Sequence, residues 1–183
     1  MARLIIIGGF AGAGKSTLAR RIGATLSVPV YEVDAIARGI KNSKNFHGAS
    51  HESYGISFDL FFALAAAHLQ NNCSLVLDQN MGHEQTWKSV EKLRASVPDV
   101  EITIFLLDCP YELCLARVAT RREHPNQTEV TTETLSAHKW KWDYLNDHEF
   151  PQAIRVDATQ VPEVVFTQVL AHLTSPSGSN LAL

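Results

Sequence analysis

The sequence predicts an α/β protein, a three-layer α/β/α sandwich built on a five-stranded parallel sheet. Three observations carry this expectation. Short apolar runs alternate along the chain with longer stretches of helical periodicity. Some runs are almost continuously apolar, as in Ile102-Thr103-Ile104-Phe105-Leu106-Leu107, the pattern of strands covered on both faces. A glycine-rich string also stands where the first run gives way to the first helical pattern. The 183 residues, 45% hydrophobic and 19% charged, suit one domain whose core needs no disulfide staples.

The elements follow in order. Leu4–Gly8 reads as the first strand, and Ser16–Leu26 as a helix with Leu18, Ile22 and Leu26 on one stripe. Val30–Val33 is the second strand, and Asp34 follows it. Lys41–Ser53 is polar and short of apolar anchors, so a surface flap is expected over about residues 41–55. Phe58–Leu69 is helical, with Phe61, Leu64, Ala65 and His68 on its apolar side. Leu75–Asp78, Ile102–Asp108 and Ile154–Asp157 complete the strands. Helices are expected at Glu84–Ser96, Tyr111–Arg122, Thr131–Asn146 and Pro162–Leu173, the last opened by a proline whose fixed φ suits a helix start. The domain is expected over 1–175, with a small, polar, disordered tail at 176–183.

Composition narrows the classes of function. The formal charge is −3, so an extended phosphate-neutralising surface for nucleic acid is not expected, only a local patch. Three cysteines, Cys73, Cys109 and Cys114, are too few and too irregular for a disulfide framework or a zinc site. The opening apolar run is too short for a signal peptide or a membrane span, which gives a cytoplasmic expectation with no membrane partner.

The decisive string is Gly9-Phe10-Ala11-Gly12-Ala13-Gly14-Lys15-Ser16, followed by Thr17. It matches G-x-x-x-x-G-K-[ST], the Walker A pattern, between an expected strand and an expected helix. Glycines let the backbone bend so that successive N–H groups point inward and cradle phosphate oxygens. The positive end of the next helix adds to that field. Lys15 can bridge β- and γ-phosphates and the Ser16 hydroxyl can ligate Mg²⁺. A nucleoside triphosphate and Mg²⁺ are thus the expected cofactors. Asp34 and Asp78 end strands, and carboxyl ends of strands face the ligand crevice in such sheets. Asp34 can deprotonate a hydroxyl or cap the helix after it, two roles that coexist. Asp78 can serve the metal or the acceptor. No N-K-x-D guanine signature is present, and Gln79 rather than Glu follows Asp78, which argues against a GTPase and a motor ATPase.

Taken together, the phosphate loop, Tyr31-Glu32-Val33-Asp34 with Arg38, Tyr54-Gly55, Leu75-Val76-Leu77-Asp78-Gln79-Asn80, and Asp108-Cys109-Pro110 leading to Arg117–Arg122 resemble the small P-loop kinases of the polynucleotide-kinase and zeta-toxin type. These stand near gluconate, shikimate and chloramphenicol kinases, and the resemblance covers roughly residues 3–175. It implies a P-loop nucleoside triphosphate hydrolase fold with a helical lid at about 117–135. It implies Asp34 as the general base, Arg38 as the holder of an anionic group on the acceptor, and Asp78 near metal and acceptor. It implies a lid arginine over the phosphates, with Arg121 the first choice and Arg117 and Arg122 the others. The loop after Ile154–Asp157 would flank adenine, with GTP as the alternative to ATP.

The expected activity is ATP- and Mg²⁺-dependent transfer of the γ-phosphoryl group to a hydroxyl of a small molecule. A polynucleotide 5′-hydroxyl is the alternative acceptor, and a non-catalytic ATP-binding switch the alternative of another class. Two further features stand out. His47 and His51 lie four apart in the flap without the partners of a metal motif. Lys139-Trp140-Lys141-Trp142-Asp143-Tyr144 mixes basic and aromatic residues; on a helix Trp140 and Tyr144 share one side and Trp142 points elsewhere, with one side expected in the core and either tryptophan a candidate for the acceptor cleft.

Overall fold

The computed structural model describes residues 2–120 and 130–174. Along them run β1 (Arg3–Gly9), α1 (Lys15–Leu26), β2 (Val30–Glu32), α2 (Val33–Lys41), α3 (Ser50–Gln70), β3 (Leu75–Asp78), α4 (Glu84–Ser96), β4 (Glu101–Asp108), α5 (Tyr111–Thr120), α6 (Thr132–Ala137), α7 (Lys139–Asp147), β5 (Ala153–Asp157) and α8 (Pro162–Thr174). The strands form a five-stranded sheet in the order β2-β3-β1-β4-β5, every neighbouring pair parallel. The α/β expectation and the parallel sheet are both met.

β1 lies at the centre because its side chains are apolar on both faces. Leu4, Ile5, Ile6 and Ile7 are at most 2% exposed, each worth about 1.5–3 kcal/mol of burial. Ile6 is in register with Leu77 of β3 on one side and Ile104 of β4 on the other. The strand order therefore switches direction at β1, and the carboxyl ends of β1 and its neighbours open onto a crevice. Whatever follows β1 and β3 in sequence is delivered to that crevice.

Four boundaries differ from expectation. Val33 belongs to α2, so Asp34 stands in the first turn of that helix and Glu32 holds the cap position. Asp34 is thus placed by the helix rather than capping it. The flap is shorter than 41–55, because α2 reaches Lys41 and α3 starts at Ser50. Glu52 accepts the Ala49 N–H at 2.9 Å and fixes that start, a local cap that apolar periodicity does not reveal. Along α3, Phe61, Ala65 and Leu69 carry the burial, while Leu64 is 44% exposed. The stretch Thr131–Asn146 is two helices rather than one, broken at His138, whose Nδ1 lies 2.7 Å from the Thr134 carbonyl.

The packing of α7 decides which of its two tryptophans faces the core. Trp142 packs inward and its indole N–H donates to the Cys109 carbonyl at 2.9 Å, pinning α7 to the turn before α5. Trp140 is 47% exposed. Among the described residues, no helix is long and apolar enough to cross a membrane. Arg121 and Arg122, the middle of the lid expected at 117–135, and the tail at 176–183 lie outside the described residues.

Candidate active site

The loop between β1 and α1 follows from its glycines. Gly12 has φ +89° and Gly14 φ +102°, in the region that side chains resist. A Cβ on Gly12 would fall 2.6 Å from the Cys114 carbonyl oxygen, so the loop lies directly against α5. Gly14 occupies the cap position of α1 and makes no side-chain cap hydrogen bond; a Cβ there would meet nothing within 4 Å. The first N–H groups of α1 are therefore offered to the crevice, where an anion is favoured. Lys15 arches over this loop and donates from Nζ to the Phe10 carbonyl at 3.0 Å. Gly9, Phe10, Ala11 and Ala13 shape the turn, and Thr17 is exposed at the cleft wall.

Two aspartates converge on the same lysine. Asp78 ends β3, is 7% exposed, and accepts a hydrogen bond from the Ser16 hydroxyl. Burial pushes its carboxyl above the ordinary range, while Lys15 and Ser16 pull it back. Asp34, in the first turn of α2, is likewise raised, chiefly by burial, with Lys15 the largest opposing charge. Glu32 is in register with Asp78, but Arg20 grips it from Nε at 2.7 Å and Nη2 at 2.8 Å. That bidentate pair neutralises Glu32 and leaves Asp34 and Asp78 as the carboxylates facing Lys15.

The raised carboxyl of Asp78 has a consequence for stability. A group whose pKa is higher in the folded state adds stability at low pH, and that stability is lost as pH rises through the folded value. At neutral pH the buried charge therefore costs stability. Asp78→Asn is expected to stabilise the nucleotide-free protein by roughly 1 kcal/mol, or about 2–4 °C in melting temperature. A thermal melt at pH 7 showing the variant markedly less stable would contradict this.

These groups line one cleft of about 1270 Å³, above the roughly 300–1,000 Å³ of a single small-ligand pocket. Arg117, Gln160, Val165, Tyr54, His83, Trp140 and Lys141 also line it. Arg117 donates from Nη1 to the Cys109 sulfur at 3.5 Å. The Cys109 thiol is lowered to about 7, first by a hydrogen bond with Cys114 and further by Arg117, against the effect of burial. Arg38 lies one turn beyond Asp34 and its charge acts on that carboxylate, but it is not among the cleft-lining residues described.

Sequence reasoning brought together Lys15, Ser16, Asp34 and Asp78, and the structure brings them together too. It missed Lys141, a half-buried lysine of α7 whose charge acts on Asp34 and Lys15. The basic-aromatic run held the signal, yet the direction of Lys141 depends on the break at His138. Gln79 also lines the cleft, is 5% exposed, and its side-chain oxygen has no hydrogen-bond partner among the described residues.

A parallel sheet with a glycine loop gripping the head of α1, Lys15 over it and Asp78 beside Ser16, is the fold of the P-loop kinases. The chain belongs to the AAA domain family AAA_33, whose model matches residues 4–142. Among solved structures, a sugar kinase from Janibacter sp. HTCC2649 is similar, with a TM-score of 0.68, 19% identity, and 94% of this chain covering 95% of that one. A gluconokinase from Sinorhizobium meliloti 1021 gives 0.60 and 18%, with 92% and 90% covered. Shikimate kinase from Aquifex aeolicus VF5 gives 0.59 and 18%, with 93% and 95% covered. No curated protein matches the sequence.

Proposed function

We propose that this protein is a kinase that moves the γ-phosphoryl group of ATP to a hydroxyl of a small molecule, with Asp34 as the base. The observation that carries this reading is the placement of Asp34 in the cleft beside Lys15 and Asp78. The structural neighbours named as sugar, gluconate and shikimate kinases agree with it. The phosphate loop backbone and Lys15 hold the triphosphate. Ala158, Gln160 and Val165 offer packing and one amide to the base, which suits adenine and does not forbid guanine.

Ser16 and Asp78 fit a magnesium ion. Their oxygens are hydrogen-bonded to each other, and Mg²⁺ takes one or two protein oxygens and leaves the rest to phosphate and water. Among the described residues no larger cluster of metal ligands exists. When bound, Mg²⁺ supplies charge neutralisation at the β- and γ-phosphates. Asp34 accepts the proton of the acceptor hydroxyl. That oxygen bonds to the γ-phosphorus as the bond to the β-phosphate oxygen breaks, and ADP departs with the electron pair. Lys15 and a lid arginine, Arg121 as first choice or Arg117, bear the charge that builds on the transferring group.

The test is ADP formation from Mg·ATP across a panel of hydroxyl compounds that includes sugars, nucleosides and 5′-hydroxyl oligonucleotides. A small-molecule acceptor is expected to raise ADP formation well above the rate in water, with little dependence on salt. Stimulation by oligonucleotides alone, falling steeply between 50 and 200 mM salt, would favour the polynucleotide reading. Tight Mg·ATP binding with no stimulation by any compound would favour a switch protein.

A further inference from the structure

We propose that Lys141 binds an anionic group of the acceptor, so that the molecule phosphorylated is a hydroxy acid or a phosphate ester rather than a neutral alcohol. This rests on the kinase reading above and assigns the α7 side of its cleft. Lys141, on α7, lines the same cleft as Asp34, and the two charges act on each other. Its placement is built in. A Cβ on Gly82, in the loop after β3, would fall 2.8 Å from the Lys141 Cβ, so α7 seats against that loop only because glycine stands there.

The charges around Lys141 are those of a receptor rather than of a pair. Among the described residues its ammonium forms no ion pair, and its ring contact is the face of Trp140 at 5.3 Å. The other cations of the cleft are engaged. Arg20 holds Glu32, Arg21 holds Glu163 at 2.9 Å, and Lys15 covers the phosphate loop. Lys141 is half-buried, and burial pushes its ammonium below the ordinary lysine range, as expected for a dehydrated cation. Asp34 opposes that effect, but Asp34 must keep a free carboxylate oxygen for the hydroxyl proton. An anion brought by the acceptor would relieve the cost of the buried cation and turn the hydroxyl toward Asp34. The buried, unpartnered oxygen of Gln79 beside Asp78 points to the same ligand, because it calls for a donor such as a second acceptor hydroxyl.

The test separates this assignment from the kinase reading by filling the phosphate loop first. The protein is saturated with Mg²⁺ and the non-hydrolysable β,γ-imido analogue of ATP. Inorganic phosphate, or D-gluconate as a carboxylate, is then titrated calorimetrically. The wild-type complex is expected to take up one equivalent of at least one of these anions, and which one it takes identifies the source of the charge. Lys141→Met should weaken that uptake about tenfold or more, and Lys141→Arg should restore most of it. Both variants should keep analogue affinity within about threefold, because the side chain leaves the nucleotide untouched, and Lys141→Met should melt no lower than the wild type, because it removes a dehydrated cation. No saturable anion uptake by the wild-type complex, or equal uptake by Lys141→Met, would overturn the assignment. Failure to take up the analogue itself would overturn the nucleotide reading beneath it.

Discussion

Asp34→Asn is expected to lower phosphoryl transfer about 10³-fold while Mg·ATP affinity changes by no more than about threefold. Asparagine keeps the size of the side chain in the first turn of α2 but cannot take a proton from the acceptor. The pH profile gives an independent reading. Burial raises the Asp34 carboxyl, more than Lys15 lowers it, and a base works only when ionised. The acid limb of kcat/KM should therefore lie above the ordinary carboxylate range, with activity climbing as pH rises through it. In Asp34→Asn that limb should vanish. Transfer at the wild-type rate in the variant would remove Asp34 from the mechanism.

Lys15→Ala is expected to damage binding and chemistry together. Its ammonium spans the phosphate loop, donating to the Phe10 carbonyl, and it is the leading opposing charge on both Asp34 and Asp78. Removing it takes away a contact made by ground-state triphosphate and strengthened as charge develops. A loss of about 10²–10³ in kcat/KM, roughly 3–4 kcal/mol, follows for one charged stabiliser. The substitution also leaves two buried carboxylates without their shared cation. Any residual activity should accordingly show an acid limb moved to higher pH. A Lys15→Ala protein whose activity falls with an unmoved limb would break the link between Lys15 and Asp34.

Much of this architecture was legible because it rests on one-dimensional patterns. Nearly continuous, β-branched apolar runs such as Ile102–Leu107 have the length and composition of strands covered on both faces, and the glycine spacing before Lys15-Ser16 calls for a bent loop. The strand-terminal position of Asp78 follows from the same pattern, whereas Asp34, expected just after a strand, stands in the first turn of α2. What was not legible depends on long-range packing. His138 carries no breaker signal, yet α6 and α7 part there, so Trp142 turns inward to the Cys109 carbonyl and Trp140 outward. Lys141 enters the cleft for that reason. The early start of α3 escaped because Glu52 caps Ala49 in a stretch whose apolar residues show no stripe. The pairing of Glu32 with Arg20 joins residues twelve apart and shows only once β2 lies beside α1.

The proposed activity requires the phosphate loop to grip a polyphosphate, and calorimetric titration of the folded protein with Mg·ATP tests that grip most directly. It predicts saturable uptake of one nucleotide per chain, strongly weakened in Lys15→Ala and retained in Asp34→Asn. No uptake of Mg·ATP or Mg·GTP by folded wild-type protein, or uptake indifferent to Lys15, would contradict it.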